Sequence, residues 1–213
     1  KYTNVGTIKN ATGNSADMGY YQYEEGIYVG YRFYETADAE GFFDSDFFTN
    51  HEWKNGKAKG YDQVVQYPFG YGLSYTTFSE KVESAKVDLK AHGTNSISVT
   101  VTNTGDKAGK QVVELYMTAP YNTDETCGIQ GTGLQKSAKV LIGYQKTDLL
   151  EPGQSQTVTI DFETDDLASF DSYGHGCYVL EKGEYTFHIG LDAHNDACEG
   201  VTASLASSIP IKA

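Results

Sequence analysis

The chain has 213 residues, enough for one large domain or for one domain plus a part of another. Its 39% hydrophobic and 13% aromatic content argues for a folded protein and against a disordered one. A formal net charge of −13 excludes the clustered Lys and Arg that nucleic acid or an anionic membrane would require, and suits a soluble protein handling neutral ligands. Cys127, Cys177 and Cys198 are odd in number and have no CxxC spacing, so neither a zinc site nor a full disulfide framework is implied. One bridge, for instance Cys177 to Cys198, is compatible with the spacing. No run reaches the ~18 apolar residues of a membrane span, and no signal-peptide pattern opens the chain. The first residue is Lys, and residues 1–20 read like the interior of something longer, which predicts a fragment.

In chain order, residues 1–19 are polar and glycine-bearing, with a faint strand signal around Val5 to Ile8. Tyr20 to Tyr34 is the first dense segment. Ile27, Val29, Tyr31 and Phe33 fall on one side of a period-two pattern, which predicts a strand or a turn-rich stretch, while Gly26 and Gly30 weigh against a long helix. Arg32 is the sole arginine. Its planar fork suits a structural ion pair with Glu24, Glu25 or another carboxylate, with a sugar-hydroxyl contact as the alternative.

Residues 35–66 form a long connection holding Phe42, Phe43, Phe47, Phe48 and Trp53 among Asp44, Asp46, His51 and Glu52. Rings beside carboxylates are what a sugar site uses, since flat faces stack on pyranoses. The plainer expectation is an insertion packing its own rings. Asp44, Asp46 and Glu52 lack the calcium-loop pattern.

Tyr67-Pro68-Phe69-Gly70-Tyr71-Gly72-Leu73-Ser74-Tyr75-Thr76-Thr77-Phe78 comes next. Proline fixes φ, two glycines allow close backbone approach, and the rings supply apolar area. Phe69, Tyr71, Leu73, Tyr75 and Phe78 are expected to line one side of an extended path and lock the β-rich remainder of the chain onto the segment before it.

From Glu80 onward the pattern is all β. Val82–Leu89, Ile97–Val101, Gln111–Met117, Val140–Tyr144, Gln156–Phe162, Cys177–Leu180, Tyr185–Leu191 and Ser208–Ile211 read as strands separated by turns, the sandwich signature. The acidic 163–172 stretch reads as a solvated turn. No helix-period run of useful length appears.

Two linked motifs carry a family resemblance. Glu25-Gly26-Ile27-Tyr28-Val29-Gly30-Tyr31-Arg32-Phe33-Tyr34 and the 67–78 motif resemble, in order, the end of the α/β sandwich domain in family 3 glycoside hydrolases of β-glucosidase type. Val101–Met117, Leu150–Phe162 and Tyr178–Gly190 resemble the fibronectin type III-like domain that comes after it. The resemblance implies a terminal segment of an α/β sandwich domain over 1–78 and an antiparallel fibronectin type III-like (immunoglobulin-like) β-sandwich over 79–213. It also implies a portion of a retaining β-glucosidase acting on β-linked glucosides or oligosaccharides.

The chemistry of that family does not map onto this chain. Retaining glycosidases use two carboxyl groups ~5 Å apart. The resemblance places the nucleophilic Asp on a (β/α)8 barrel, and the acid/base upstream of residue 1 in the α/β sandwich domain. No alternating βα pattern is present here. No catalytic, cofactor-binding or metal-ligating residue is therefore assigned. Glu24, Glu25, Asp44, Asp46 and Glu52 lie nearest the expected active-site side and read as structural. His51, His92, His175, His188 and His194 lack metal-site spacing, and no GxSxG elbow occurs. The expected partners are the missing catalytic domains and, through them, a glucoside. The alternative is a free-standing carbohydrate- or protein-binding module, because a sandwich alone implies no activity.

Overall fold

A computed structural model describes residues 5–9, 15–21, 25–45, 60–123, 128 and 133–211. The sandwich begins where the alternation begins. Strands β3 (Phe78–Lys86), β4 (Thr94–Asn103) and β7 (Ser155–Glu163) form one antiparallel sheet in the order β3-β4-β7. The second sheet has the order β11-β10-β5-β6, built from β5 (Val112–Thr118), β6 (Val140–Lys146), β10 (Gly183–Gly190) and β11 (Asp196–Leu205). A small third sheet joins β8 (Ser169–Asp171), β9 (Cys177–Leu180) and β12 (Ile209–Ile211) in the order β12-β9-β8.

Strand β4 shows why the sheets stack. Ile97, Val99 and Val101 are fully buried, while Ser98, Thr100 and Thr102 face away. The outward residues pair in register with β7, so the hydroxyls of Ser98 and Thr159, Thr100 and Thr157, and Thr102 and Ser155 bond at 2.9, 2.9 and 2.7 Å. Such cross-strand pairs hold register on the polar face while the branched residues fill the other. The core between the sheets adds Val113, Leu115, Val158, Ile160, Phe162, Phe187 and Ile189. Tyr185 is buried among them, and its hydroxyl donates to the Glu181 carbonyl at 2.9 Å, the upstream bond of a tyrosine corner.

Ahead of the sandwich stand a hairpin, β1 (Val5–Lys9) with β2 (Ser15–Tyr21), and two helices, α1 (Tyr31–Ala39) and α2 (Tyr61–Val64). A 3-10 turn, Phe42–Asp44, succeeds α1. Of the strand or turn-rich stretch expected here, the described residues 25–30 are turn and irregular, and no strand runs through Phe33. Gly30 has φ 59, a left-handed turn that breaks any extended run and opens α1. Tyr31 and Glu35 then share a helical face, a 3.6-residue period that the period-two pattern hides.

Three further expectations are corrected. The 163–172 stretch is no solvated turn: Thr164–Leu167 is a 3-10 turn whose Leu167 sits in the core, and β8 comes after it. Strand β11 is an addition to the expected set. As the sheet-edge partner of β10 it has no fully buried residue and carries Gly200, so no alternation marks it. The 67–78 rings do not line a buried side. Leu73 is 89% and Tyr75 96% exposed, Gly72 faces open space, and only Phe78 packs against the core.

Candidate functional site: a polar latch and an aromatic groove

The segment before the sandwich is tied to it by polar side chains. On α1, Glu35 is buried; Tyr61, at the start of α2, donates its hydroxyl to Glu35 Oε1 at 2.5 Å. His194 comes from the turn between β10 and β11 and places Nδ1 3.0 Å from Glu35 Oε2. The imidazole also stacks on the Tyr61 ring, with centroids 3.8 Å apart. Burial, then the bond to Glu35, pushes the Tyr61 phenol far above its ordinary value, so it stays a donor.

The turn that presents His194 is shaped by buried Asp192. Its Oδ1 accepts from the backbone N–H of His194 at 2.9 Å and of Asn195 at 2.7 Å. Ala193 N–H, next in line, donates to the Phe69 carbonyl at 2.8 Å. Phe69 stacks on Tyr31 with centroids 4.5 Å apart, and Tyr31 meets Tyr116 of β5 edge-on. Gly70, at φ 89, is required here: a Cβ would run into the Glu114 carboxylate. Glu114 itself accepts the Tyr116 hydroxyl at 2.7 Å. The glycine of the motif thus does allow close approach, at Gly70 and not at Gly72.

A second set of contacts joins α1 and the turn before it to residues 136–141. Tyr31 hydroxyl accepts from Leu141 N–H at 2.9 Å, Thr36 Oγ1 accepts from Ala138 N–H at 3.0 Å, and Tyr28 donates to the Lys136 carbonyl at 3.3 Å. Beside these contacts opens a groove of about 790 Å³, walled by Tyr28 and Arg32 on one side and by Tyr121, Phe170, Tyr173 and Tyr178 on the other. Beneath it, Lys136 and Glu181 form a buried ion pair at 2.5 Å.

Of the carboxylates singled out in the sequence, Glu25 and Asp44 are among the described residues. Glu25 lies in the turn before α1 and Asp44 is exposed. Glu24, Asp46, Glu52, His51, Trp53, Phe47, Phe48 and Cys127 lie outside the described residues. Arg32 takes no carboxylate partner among the described residues, so the expected pair with Glu25 is not made. Cys177 and Cys198 are free thiols, and the bridge between them is not formed. Each described histidine instead faces a carboxylate: His92 with Asp165, His175 with Asp171, His188 with Asp196 and His194 with Glu35. Sequence reasoning does not find Glu35, Tyr61, Asp192 or Glu114 as functional residues. The one available signal is Tyr31 and Glu35 four residues apart after a glycine.

Known proteins share this stretch in sequence and fold. The fibronectin type III-like domain family matches residues 111–193. β-Glucosidase A of Butyrivibrio fibrisolvens is 39% identical over 211 residues, covering 92% of this chain and 22% of that protein. An exo-α-(1→6)-L-arabinopyranosidase of Bifidobacterium breve is 31% identical, over 89% of this chain and 20% of its own length. Among solved structures, the β-glucosidase of Kluyveromyces marxianus superposes with a TM-score of 0.67 at 30% identity, over 90% of this chain and 18% of that one. The Bifidobacterium adolescentis GH3 β-glucosidase gives 0.64 at 29%, over 89% and 22%. This chain spans about a fifth of the length of these relatives.

Proposed function

On the premise that this chain resembles the C-terminal, fibronectin type III-like part of family 3 glycoside hydrolases, we propose that it is a supporting, non-catalytic portion of a β-glucosidase-type enzyme. The observation that carries this reading is the latch joined to an unburied aromatic edge. Glu35, Tyr61 and His194 hold α1 and α2 against the sandwich, while Tyr67, Tyr71, Leu73 and Tyr75 are left exposed beside it. A row of large apolar side chains next to a well-anchored joint suits a surface that the catalytic domains cover. In this reading 1–78 closes an α/β sandwich domain, 79–213 buttresses it, and the carboxylate pair for retaining hydrolysis lies in the remaining four fifths of the enzyme. The substrate is a β-linked glucoside. A relative named for arabinopyranoside cleavage carries the same module, in keeping with specificity residing outside it.

Two assays test this. The isolated chain should give no hydrolysis of aryl β-glucosides above the uncatalysed rate. Substituted for the corresponding segment of the Butyrivibrio fibrisolvens β-glucosidase A, it should sustain a folded, active enzyme. Turnover by the chain alone, abolished by changing one carboxylate, would overturn the proposal.

A further inference from the structure

The groove between α1 and the sandwich has a composition that the latch does not explain. Tyr121, Phe170, Tyr173 and Tyr178 present exposed rings along one wall, Tyr173 being 72% exposed, and Phe170 and Tyr178 brace each other edge to face at 5.2 Å. Tyr28 stands on the opposite wall with Arg32. The Arg32 guanidinium has five donors in a fixed plane and no carboxylate among the described residues to receive them. On the floor, Lys136 keeps its Nζ buried against the Glu181 carboxylate, which leaves Arg32 as the charged donor of the groove.

We infer that this groove is a binding site for neutral oligosaccharides of equatorially hydroxylated pyranoses. Such sugars show flat C–H faces that stack on tyrosine and phenylalanine, and a rim of hydroxyls that accept from a guanidinium. The exposed rings and the Arg32 fork match both surfaces at once. A purely apolar partner would cover the Arg32 donors and leave them unmet, which is costly. An anionic ligand is disfavoured by the acidic chain and by Asp166 on the groove lip. At about 790 Å³ the groove falls within the ~300–1,000 Å³ of small-ligand sites. The groove is built from residues of this chain alone and would bind sugar whether or not the chain belongs to a glucosidase.

The test is titration calorimetry of the whole chain with cellotetraose and laminaritetraose, alongside saturation-transfer NMR. Saturable binding is expected, with transfer from aromatic resonances to sugar protons. Tyr173→Ala and Tyr178→Ala should each weaken it about tenfold, the scale of one lost ring contact. Both rings are exposed, so thermal melts should stay unchanged; if either variant melts early, Arg32→Gln supplies the same readout from the other wall. Absence of binding to both sugars would overturn the inference. So would binding that survives these three substitutions or that is lost with Tyr67→Ala and Tyr71→Ala instead.

Discussion

Between Phe78 and Ile211 apolar side chains alternate into a core shared by two sheets, and Tyr185 and Phe187 are fully enclosed. Among the described residues between Gly26 and Thr77, Phe43 and Tyr61 are buried but Phe33, Tyr34, Phe42, Tyr67, Phe69, Tyr71, Leu73 and Tyr75 are exposed. The sandwich is held by its own packing. The preceding segment is joined to it by a few side chains, the Glu35 latch with its hydrogen bonds and the Tyr31–Tyr116 and Tyr61–His194 ring contacts, with much of its aromatic surface left uncovered. Stability and attachment thus rest on different sets of residues.

On that contrast the core should respond most strongly. Phe187→Ala should cost about 3–5 kcal/mol in a denaturant titration, because the ring fills space between the sheets and the site cannot collapse around its loss. A loss below ~1 kcal/mol would mean that the sandwich is not packed as described.

Next comes a pH effect confined to the sandwich. Burial pushes the Glu80 carboxyl up to about 7, against the bond from Gln111 that lowers it, and Glu114 adds repulsion. A raised folded pKa means that Glu80 costs nothing while protonated, below about 4.5. Its contribution is then lost as pH rises from there through about 7, by about 3 kcal/mol in all. Glu80→Gln keeps an acceptor for Gln111 and should flatten that window, being the more stable protein at pH 8. Parallel pH profiles for the two would contradict the assignment.

A smaller, local effect comes from the latch. Glu35→Ala removes the acceptor shared by Tyr61 and His194, and should cost about 1.5–3 kcal/mol of attachment, as for bonds to a charged group. Hydrogen exchange should quicken across α1 and α2, while Ile97–Val101 keeps its protection. Equal loss of protection in both regions would show that latch and sandwich are one cooperative unit.

The same contrast explains how far the fold and the latch are legible in the sequence. β4 and β7 announce themselves because the period-two alternation of Ile97, Val99 and Val101 against Ser98 and Thr100 is both the local pattern and the burial pattern. Cys177–Leu180 emerges with the observed bounds. β11 does not emerge, because an edge strand needs no buried alternation when β10 supplies its register. α1 is disguised because Ile27, Val29, Tyr31 and Phe33 alternate by chance across a glycine that starts a helix. The latch cannot be read at all: Glu35, Tyr61 and His194 are up to 159 residues apart, and only the fold brings them together. Aromatic richness in 67–78 signals importance correctly but not burial, since the same rings serve a core or an interface.

The most direct measurement is the unfolding of a chain cut to residues 76–213, which keeps Thr76 and its bond to Asn103 at the start of β3. A single cooperative transition is expected by circular dichroism and tyrosine fluorescence, with a midpoint close to that of the full chain. A broad, non-cooperative melt would contradict it, showing that the sandwich needs the preceding segment to fold.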